Sequence, residues 1–240
     1  MSISATSTVK ELAIEVPGAT RVFEKLGIDY CCGGGRTLEA ACTEAGIVAG
    51  EVVSQIEAAG LKEGSARERE WPQDSLGALV HFIIDKHHVF TTGEMARIEP
   101  LLAKVRTVHG HRHPELIEIE RLFANLKADL TLHMKKEEMI LFPYIIALED
   151  AVEAGQKAPS PMFGTVRNPI KQMMTEHDTA GDILRNIRGL SGGFAVPADG
   201  CTSFTAAYEA LEGLEKDLHQ HIHLENNVLF PKTESMEPGA

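Results

Sequence analysis

The chain has 240 residues, 43% of them hydrophobic, and a formal net charge of −12. That length and composition predict a soluble globular protein with one large or two modest domains. The acidic balance, with no block of Lys or Arg, excludes the basic face by which proteins bind nucleic acid and anionic membranes. No apolar run reaches the roughly 18 residues of a membrane span, and the N-terminus lacks the basic-then-apolar order of a signal peptide. We therefore expect a cytoplasmic protein with free thiols rather than disulfides.

Residues 1–61 have the pattern of a small helical domain. Short helices are predicted over residues 9–16, 19–26, 38–45 and 51–59. Residues 29–35 read Asp-Tyr-Cys-Cys-Gly-Gly-Gly, which excludes a regular helix there. Residues 62–72 are charged and have almost no apolar period, which predicts a linker. The rest of the chain, residues 73–240, is predicted to form a second domain.

Four long helical patterns follow the linker, without strand patterns between them. They begin near Ser75, Pro114, Pro169 and Cys201. A proline at the second or third of these starts suits the first turn of a helix, where its missing N–H costs little. The prediction is therefore an all-α fold, with a four-helix bundle preceded by the small helical domain. Pro143 and Pro231 are expected to kink or stop two of the bundle helices.

Each long helix has an apolar stripe at spacings of three and four residues, and a histidine interrupts every stripe. In the second and fourth helices a glutamate follows four residues later on the same face. The interrupting residues are His87, His133, Glu137, His177, His221 and Glu225. His88, His219 and His223 fall off the stripes, so we expect them to face outward or a helix boundary.

The two glutamates lie in a repeated motif. Residues 133–143 and 221–231 both read H-x-x-x-E-x-x-[IV]-L-F-P. A buried carboxylate is costly unless it is paired or bound to metal, and four histidines with two carboxylates in one core can hold two ions of iron, manganese or zinc. A lone core histidine or a single solvated His–Glu pair is the ordinary alternative for one such motif, but two motifs in phase with the stripes favour a metal site.

The histidines at positions 109, 111 and 113 are not assigned a role by the stripes. Along a continuous helix, His109 lies roughly 33 Å from His87. It can share a metal site with His87 only if the chain bends, for which Pro100 is a candidate.

At these residues the sequence resembles a known family. The H-x-x-x-E repeats resemble the hemerythrin-like di-iron bundle, and residues 26–35 (LGIDYCCGGG) resemble the cysteine-bearing domain that precedes this bundle in the Repair of Iron Centres family. The resemblance covers nearly the whole chain. It implies two iron ions, bridged by carboxylates and by an oxo or hydroxo group. The ligands that it implies are His87, His133, Glu137, His177, His221 and Glu225, with His109 as a further ligand or an outer-sphere partner.

The function implied by the resemblance is repair of iron–sulfur clusters damaged by nitrosative or oxidative stress, with iron supplied from the di-iron site. Reduction of nitric oxide or a related oxide is an alternative, as is binding of oxygen or another diatomic gas by a sensor or carrier. Whether the protein is an enzyme stays open. The partners implied are damaged iron–sulfur proteins and nitric oxide or oxygen, and a homodimer is an open alternative for the assembly.

The adjacent thiols Cys31 and Cys32 are interpreted as redox or iron-transfer groups, because two neighbouring cysteines pair with each other only in a strained ring. The alternative is that they are packed small residues. If they take part in delivery, they must be exposed and reactive. Cys42 and Cys201 are expected to be structural.

Overall fold

The computed structural model describes residues 3–16, 18–62 and 75–237. Within these ranges the chain is helical and forms no β-sheet, although one isolated bridge joins Thr8 and Thr37. The all-α prediction is confirmed. The predicted linker at residues 62–72 lies, after Lys62, outside the described residues. In the described part of the chain, no helix is long and apolar enough to cross a bilayer.

The described residues of the predicted small domain form four helices close to the predicted bounds. They are α1 (Val9–Glu15), α2 (Ala19–Leu26), α3 (Leu38–Ala45) and α4 (Ala49–Lys62). The side chain of Thr8 accepts a hydrogen bond from the backbone N–H of Glu11 at the start of α1, and that of Thr37 accepts one from Ala40 at the start of α3. Gly27 ends α2 in the left-handed conformation, which a glycine adopts without steric cost. Local sequence signals thus fix these helix ends.

Four long helices form the bundle, and three of them contain a π-helical turn. The first comprises α5 (Leu76–Phe82), π1 (Ile83–His88) and α6 (Val89–His109), and the second comprises α7 (Glu115–Lys136), π2 (Glu137–Leu141) and α8 (Phe142–Glu153). The third is α9 (Arg167–Leu190), and the fourth comprises α10 (Thr202–Leu224), π3 (Glu225–Leu229) and α11 (Phe230–Met236). Helix α6 packs against α7 and α10, and α7 packs against α9.

The π turns change which side chains face the core, because each accommodates one more residue than an α-helical turn. Ile140, which an uninterrupted stripe places in the core, is 52% exposed, whereas Leu141 is buried. Pro143 and Pro231 do not stop their helices. They lie in the first turn of α8 and of α11, directly after a π turn.

Two apolar clusters fill the bundle, one on each side of a layer of buried polar side chains. The first includes Leu130, Ala180 and Leu218. The second includes Ile83 and Leu224, together with other residues of the opposite end. Polar side chains of the intervening layer are therefore shielded from water at both ends of the bundle.

The small domain packs against the fourth bundle helix through its cysteine-bearing loop. The Asn227 side-chain amide donates hydrogen bonds to the backbone carbonyls of Tyr30 at 3.3 Å and Cys31 at 3.2 Å. The ring of Tyr30 also lies edge-on to that of His223, with 5.3 Å between centroids. This contact positions the loop beside π3.

Candidate metal centre

In the layer between the two apolar clusters, six buried residues of the described chain bring their metal-ligating atoms close together. They form two groups of four, and within each group the ligating atoms all lie within 4.8 Å of one another. The first group is His88, Glu137, His221 and Glu225. The second group is His133, Glu137, His177 and Glu225. Both carboxylates belong to both groups, so the two groups lie side by side with Glu137 and Glu225 between them.

Each shared carboxylate directs its two oxygens at histidines of different groups. For Glu137, Oε1 lies 3.2 Å from His133 Nε2, and Oε2 lies 3.5 Å from His88 Nε2. For Glu225, Oε1 lies 3.0 Å from His221 Nε2 and Oε2 lies 3.1 Å from His177 Nε2. One oxygen per group is the arrangement by which a carboxylate bridges two metal ions.

The ring nitrogens converge in the same way. His133 Nε2 and His177 Nε2 are 3.0 Å apart, and His88 Nε2 and His221 Nε2 are 3.2 Å apart. Two imidazole nitrogens at this separation attract each other only if one of them carries a proton. If both have lone pairs, they repel each other unless both face a cation. Each histidine pair can therefore hold one ion, together with one oxygen of each glutamate.

Three of the four histidines have an outer partner that orients the ring. His88 Nδ1 donates a hydrogen bond to Glu138 at 2.7 Å, and His133 Nδ1 donates one to Glu176 at 2.9 Å. His177 Nδ1 donates to the Asn226 side-chain carbonyl at 2.8 Å. A proton held at Nδ1 leaves the Nε2 lone pair free to face the centre, which is the usual outer-sphere arrangement of a metal-bound histidine.

Glu137 and Glu225 are both fully buried. Burial and repulsion by Glu225 act to raise the pKa of Glu137, but the charge of His133 and the close imidazole nitrogens of His133 and His88 outweigh them and lower it. Burial likewise acts to raise the pKa of Glu225, but His221 and His177 hold it well below its usual range. Both side chains are therefore carboxylates at neutral pH, and they present negative charge to the centre.

These ionised groups fit a metal pair. Both oxygens of Glu137 and Oε2 of Glu225 are buried and accept no well-directed hydrogen bond from the described residues, although imidazole nitrogens lie close by. Such atoms are costly in an apolar interior unless a cation compensates them. Burial disfavours the His133 imidazolium, but the Glu137 carboxylate outweighs burial and raises the pKa of His133 to about 9. A metal ion would displace that proton.

One of the predicted ligands lies outside both groups. His88, which was expected off the stripe, is 3% exposed and belongs to the first group, whereas His87 belongs to neither. The physical reason is π1, which ends at His88 and whose extra residue turns His88 rather than His87 toward the centre. His87 Nδ1 instead donates to Asp217 Oδ1 at 3.0 Å.

The other histidines also lie outside the two groups. His223 is buried against Tyr30 rather than facing outward, and His219 is half-buried near the same ring. Helix α6 continues through Pro100, and at its far end His109 Nε2 lies 3.3 Å from Cys201 Sγ. The 21 residues of α6 separate His109 from His88 by roughly 32 Å. His109 therefore does not contact the centre, as ligand or as outer partner.

The thiols differ from their expected exposure. Cys31 is 5% exposed and Cys32 is half-buried, with 3.9 Å between their sulfur atoms. The hydrogen bond with Cys32 and burial raise the pKa of Cys31 well above its usual range. Cys42 is buried in α3, as expected of a structural residue. Cys201 is exposed before α10, and hydrogen bonds from His109 and the backbone N–H of Phe204 lower its pKa to about 7.

Comparison with known proteins gives two family matches. Residues 79–233 match the hemerythrin HHE cation-binding domain. Residues 5–60 match a domain of unknown function, DUF542. The first match spans all six residues of the two groups, so the bundle is similar to domains described as binding cations.

Curated relatives are similar over nearly the whole chain. The probable iron–sulfur cluster repair protein of Haemophilus influenzae is 32% identical over 228 residues, which cover 95% of this chain and 96% of the relative. The iron–sulfur cluster repair protein YtfE of Dickeya chrysanthemi is 35% identical over 222 residues, 92% of this chain and 94% of the relative. The iron–sulfur cluster repair protein ScdA of Staphylococcus haemolyticus is 28% identical over 231 residues, 96% of this chain and 99% of the relative.

Proposed function

This chain belongs to the family of iron–sulfur cluster repair proteins that carry a hemerythrin HHE cation-binding domain, and we propose that it holds two iron ions and repairs damaged clusters by supplying iron. Damaged iron–sulfur proteins are the targets that this function implies. The proposed ligands are His88 and His221 for one ion and His133 and His177 for the other. Glu137 and Glu225 bridge the two ions.

The observation that carries the proposal is the pair of fully buried carboxylates, each with one oxygen beside each histidine pair. Imidazole and carboxylate together suit iron among the common metals. Two histidines and two carboxylate oxygens per ion leave coordination positions open. Nitric oxide or oxygen can occupy an open position as a small ligand, and a bound ion with open positions can be transferred to an acceptor.

Cys31 and Cys32 are the proposed receiving groups during iron transfer. Their loop is hydrogen-bonded to Asn227, two residues after the bridging Glu225. In this docked arrangement Cys31 is a buried, protonated thiol, and a protonated thiol is a poor metal ligand. Delivery therefore requires the loop to leave the bundle, so that the thiols deprotonate and reach the acceptor.

The test is anaerobic incubation of the iron-loaded protein with a dehydratase whose iron–sulfur cluster has been damaged. We expect dehydratase activity to return while iron leaves the bundle in matching amounts. The Glu137→Leu, Glu225→Leu double variant is the matched control, because it lacks the bridging carboxylates and should return no activity. Consumption of nitric oxide without recovery of the dehydratase would contradict iron supply and indicate gas chemistry at the metals.

The assembly is tested separately. Sedimentation of the iron-loaded chain at several concentrations distinguishes a monomer from a homodimer. Both groups of ligands come from a single chain, so the proposed function holds for either state.

A further inference from the structure

Asp29 organises the cysteine-bearing loop (residues 29–35) from within. Its Oδ1 accepts hydrogen bonds from the backbone N–H of Cys31 at 3.1 Å and of Cys32 at 3.0 Å. The thiol of Cys31 donates to the same oxygen, with 3.3 Å between Sγ and Oδ1. All of these donors lie within three residues of Asp29 in sequence, so one carboxylate fixes both thiol-bearing residues through contacts local to the loop.

The other oxygen of Asp29 faces the bundle. Oδ2 lies 3.6 Å from Nη1 of Arg185, on α9, and the two side chains are 26% and 58% exposed. The same guanidinium also pairs with Asp182, which lies on α9 and is 69% exposed. Of these two ion pairs, only the one with Asp29 joins the small domain to the bundle.

Gly181, one helical turn before Arg185, leaves room for the second thiol. Gly181 is buried. A Cβ at this position would lie 3.8 Å from Cys32 Sγ and 3.6 Å from Nη1 of Arg185. These are ordinary van der Waals distances. A methyl group therefore fits beside the sulfur, whereas a longer branched side chain has to displace Cys32 or Arg185.

The contacts of Gly181 and Arg185 lie on the third bundle helix, whereas those of Asn227 lie on the fourth. The loop is thus held on two helices, by charge and shape on α9 and by amide hydrogen bonds on π3. A partly exposed ion pair contributes little stability and is screened by salt. The contact on α9 can therefore break while both domains stay folded.

We propose that α9 carries a docking seat for the cysteine-bearing loop, in which Gly181 accommodates the Cys32 thiol and Arg185 binds the Asp29 carboxylate. The seat holds the thiols on the bundle, and the Asp29–Arg185 ion pair sets how readily they leave it. Asp29 and Arg185 are then positioning residues for iron delivery through the two thiols, a role that rests on the proposed function.

Thiol labelling of the full chain, followed by peptide mapping, tests the ion pair without any need for iron. Arg185→Ala removes the cation and leaves the hydrogen bonds within the loop. We expect Cys31 and Cys32 to be labelled about threefold faster, the size of effect that such ion pairs have. Arg185→Lys keeps the charge and should restore most of the protection.

Ionic strength separates the charge from a merely structural role of Arg185. Added salt should speed the labelling of Cys31 and Cys32 in the unmodified protein, but not in Arg185→Ala, because only the former has an ion pair to screen. Asp182→Ala is the matched control, since it removes the other partner of the same arginine. It should label these thiols no faster than the unmodified protein.

Gly181→Leu tests the shape of the seat. Its side chain enters the space of the Cys32 thiol, and overpacking of this kind is costly. We expect labelling of Cys32 to become about tenfold faster, with helical content unchanged by circular dichroism. Gly189→Leu is the matched control on the same helix, at an exposed position where an added Cβ meets no group of the described chain within 4 Å. It should leave the labelling rate unchanged.

Labelling of Cys31 and Cys32 at the unmodified rate in both Arg185→Ala and Gly181→Leu would overturn the seat. So would equal salt dependence with and without Arg185. Failure of the iron-loaded protein to restore the damaged dehydratase, with the expected labelling pattern intact, would instead contradict the proposed function. The two failures are therefore distinguishable.

Discussion

At the scale of single residues, Glu137 and Glu225 account for most of the chemistry of the centre. Two carboxylates in one buried layer repel each other, and among the described residues the neighbouring histidines compensate their charge. Leucine at both positions removes the bridging oxygens but suits an apolar surrounding. We therefore expect the Glu137→Leu, Glu225→Leu protein to keep its helical content, by circular dichroism, and to lose nearly all iron, by elemental analysis.

The control for this double substitution is Glu209→Leu, at an exposed position of α10. It should retain the iron content of the unmodified protein. Full iron loading of the double variant would show that the two groups are not the metal centre.

His87 and His88 are adjacent, but we expect opposite consequences when each is replaced. His88→Ala removes a proposed ligand from the first group, so iron content should fall toward one ion per chain. His87→Ala removes no ligand, so both ions should bind when iron is in excess. Iron analysis of the two purified variants decides between them, and a greater loss from His87→Ala would restore the assignment made from the stripe.

The order of thiol reactivity follows from burial and pKa. Cys201 is exposed and has a pKa of about 7, whereas burial raises the pKa of Cys42 and contributes to raising that of Cys31. We expect a thiol reagent to label Cys201 first, at a rate that rises between about pH 6 and 8 as the thiolate forms. Peptide mapping after timed quenching measures this order.

His109→Ala tests the cause of that reactivity. The substitution removes the hydrogen bond that lowers the Cys201 pKa most. The rise in labelling rate should therefore shift to higher pH. Faster labelling of Cys31 than of Cys201 would instead indicate that the cysteine-bearing loop leaves the bundle readily in solution.

At the scale of helices, the predictable features are those encoded locally. As predicted, one helix begins after Thr37 and another ends before Gly27. Helix caps and left-handed turns depend on residues within one turn of the chain. The H-x-x-x-E repeats identified four members of the two groups for a similar reason, since spacing four places both side chains on one face. The apolar stripe of the third bundle helix identified a fifth member, His177. The structure groups His88 rather than His87 with the carboxylates, and a regular period cannot anticipate the extra residue in π1 that causes this difference.

The outer partners were missed for a different reason. Glu176 and its partner His133 lie on different bundle helices, and so do Glu138 and its partner His88. Neither contact leaves a periodic signal, because it depends on how the helices pack. Adjacency to a ligand was the one available signal, since Glu138, Glu176 and Asn226 each lie next to a ligand in sequence.

Deletion of one residue tests whether π2 accommodates an extra residue. Met139 is 76% exposed within π2, and its removal should convert the turn to α-helix while it keeps the register of α7 with α8. Removal of Leu132, which is 61% exposed in the regular part of α7, should rotate every later side chain by about 100°. Thermal unfolding of the metal-free proteins should therefore show a much smaller loss of stability without Met139.

At the scale of the whole molecule, the proposed domains, residues 1–61 and 73–240, divide the chemistry unequally. All six members of the two groups come from the bundle, but the small domain contributes Thr20 to the wall of the cavity beside His87. The loop with Cys31 is held by Asn227 of π3. Undocking of the small domain would thus free the thiols and open the cavity to solvent at the same time.

A truncated chain of residues 71–240 tests this division. Because the bundle has its own apolar clusters and all proposed ligands, we expect it to fold and to bind two iron ions. Without the small domain, water reaches the cavity beside His87, whose ring stacks on that of the proposed ligand His221. A chelator should therefore remove the ion held by His88 and His221 faster than from the full chain. Release of the other ion should be unchanged, because His133 and His177 have their outer partners within the bundle. Loss of both ions on truncation would show instead that the small domain supplies a ligand or shapes the entire centre.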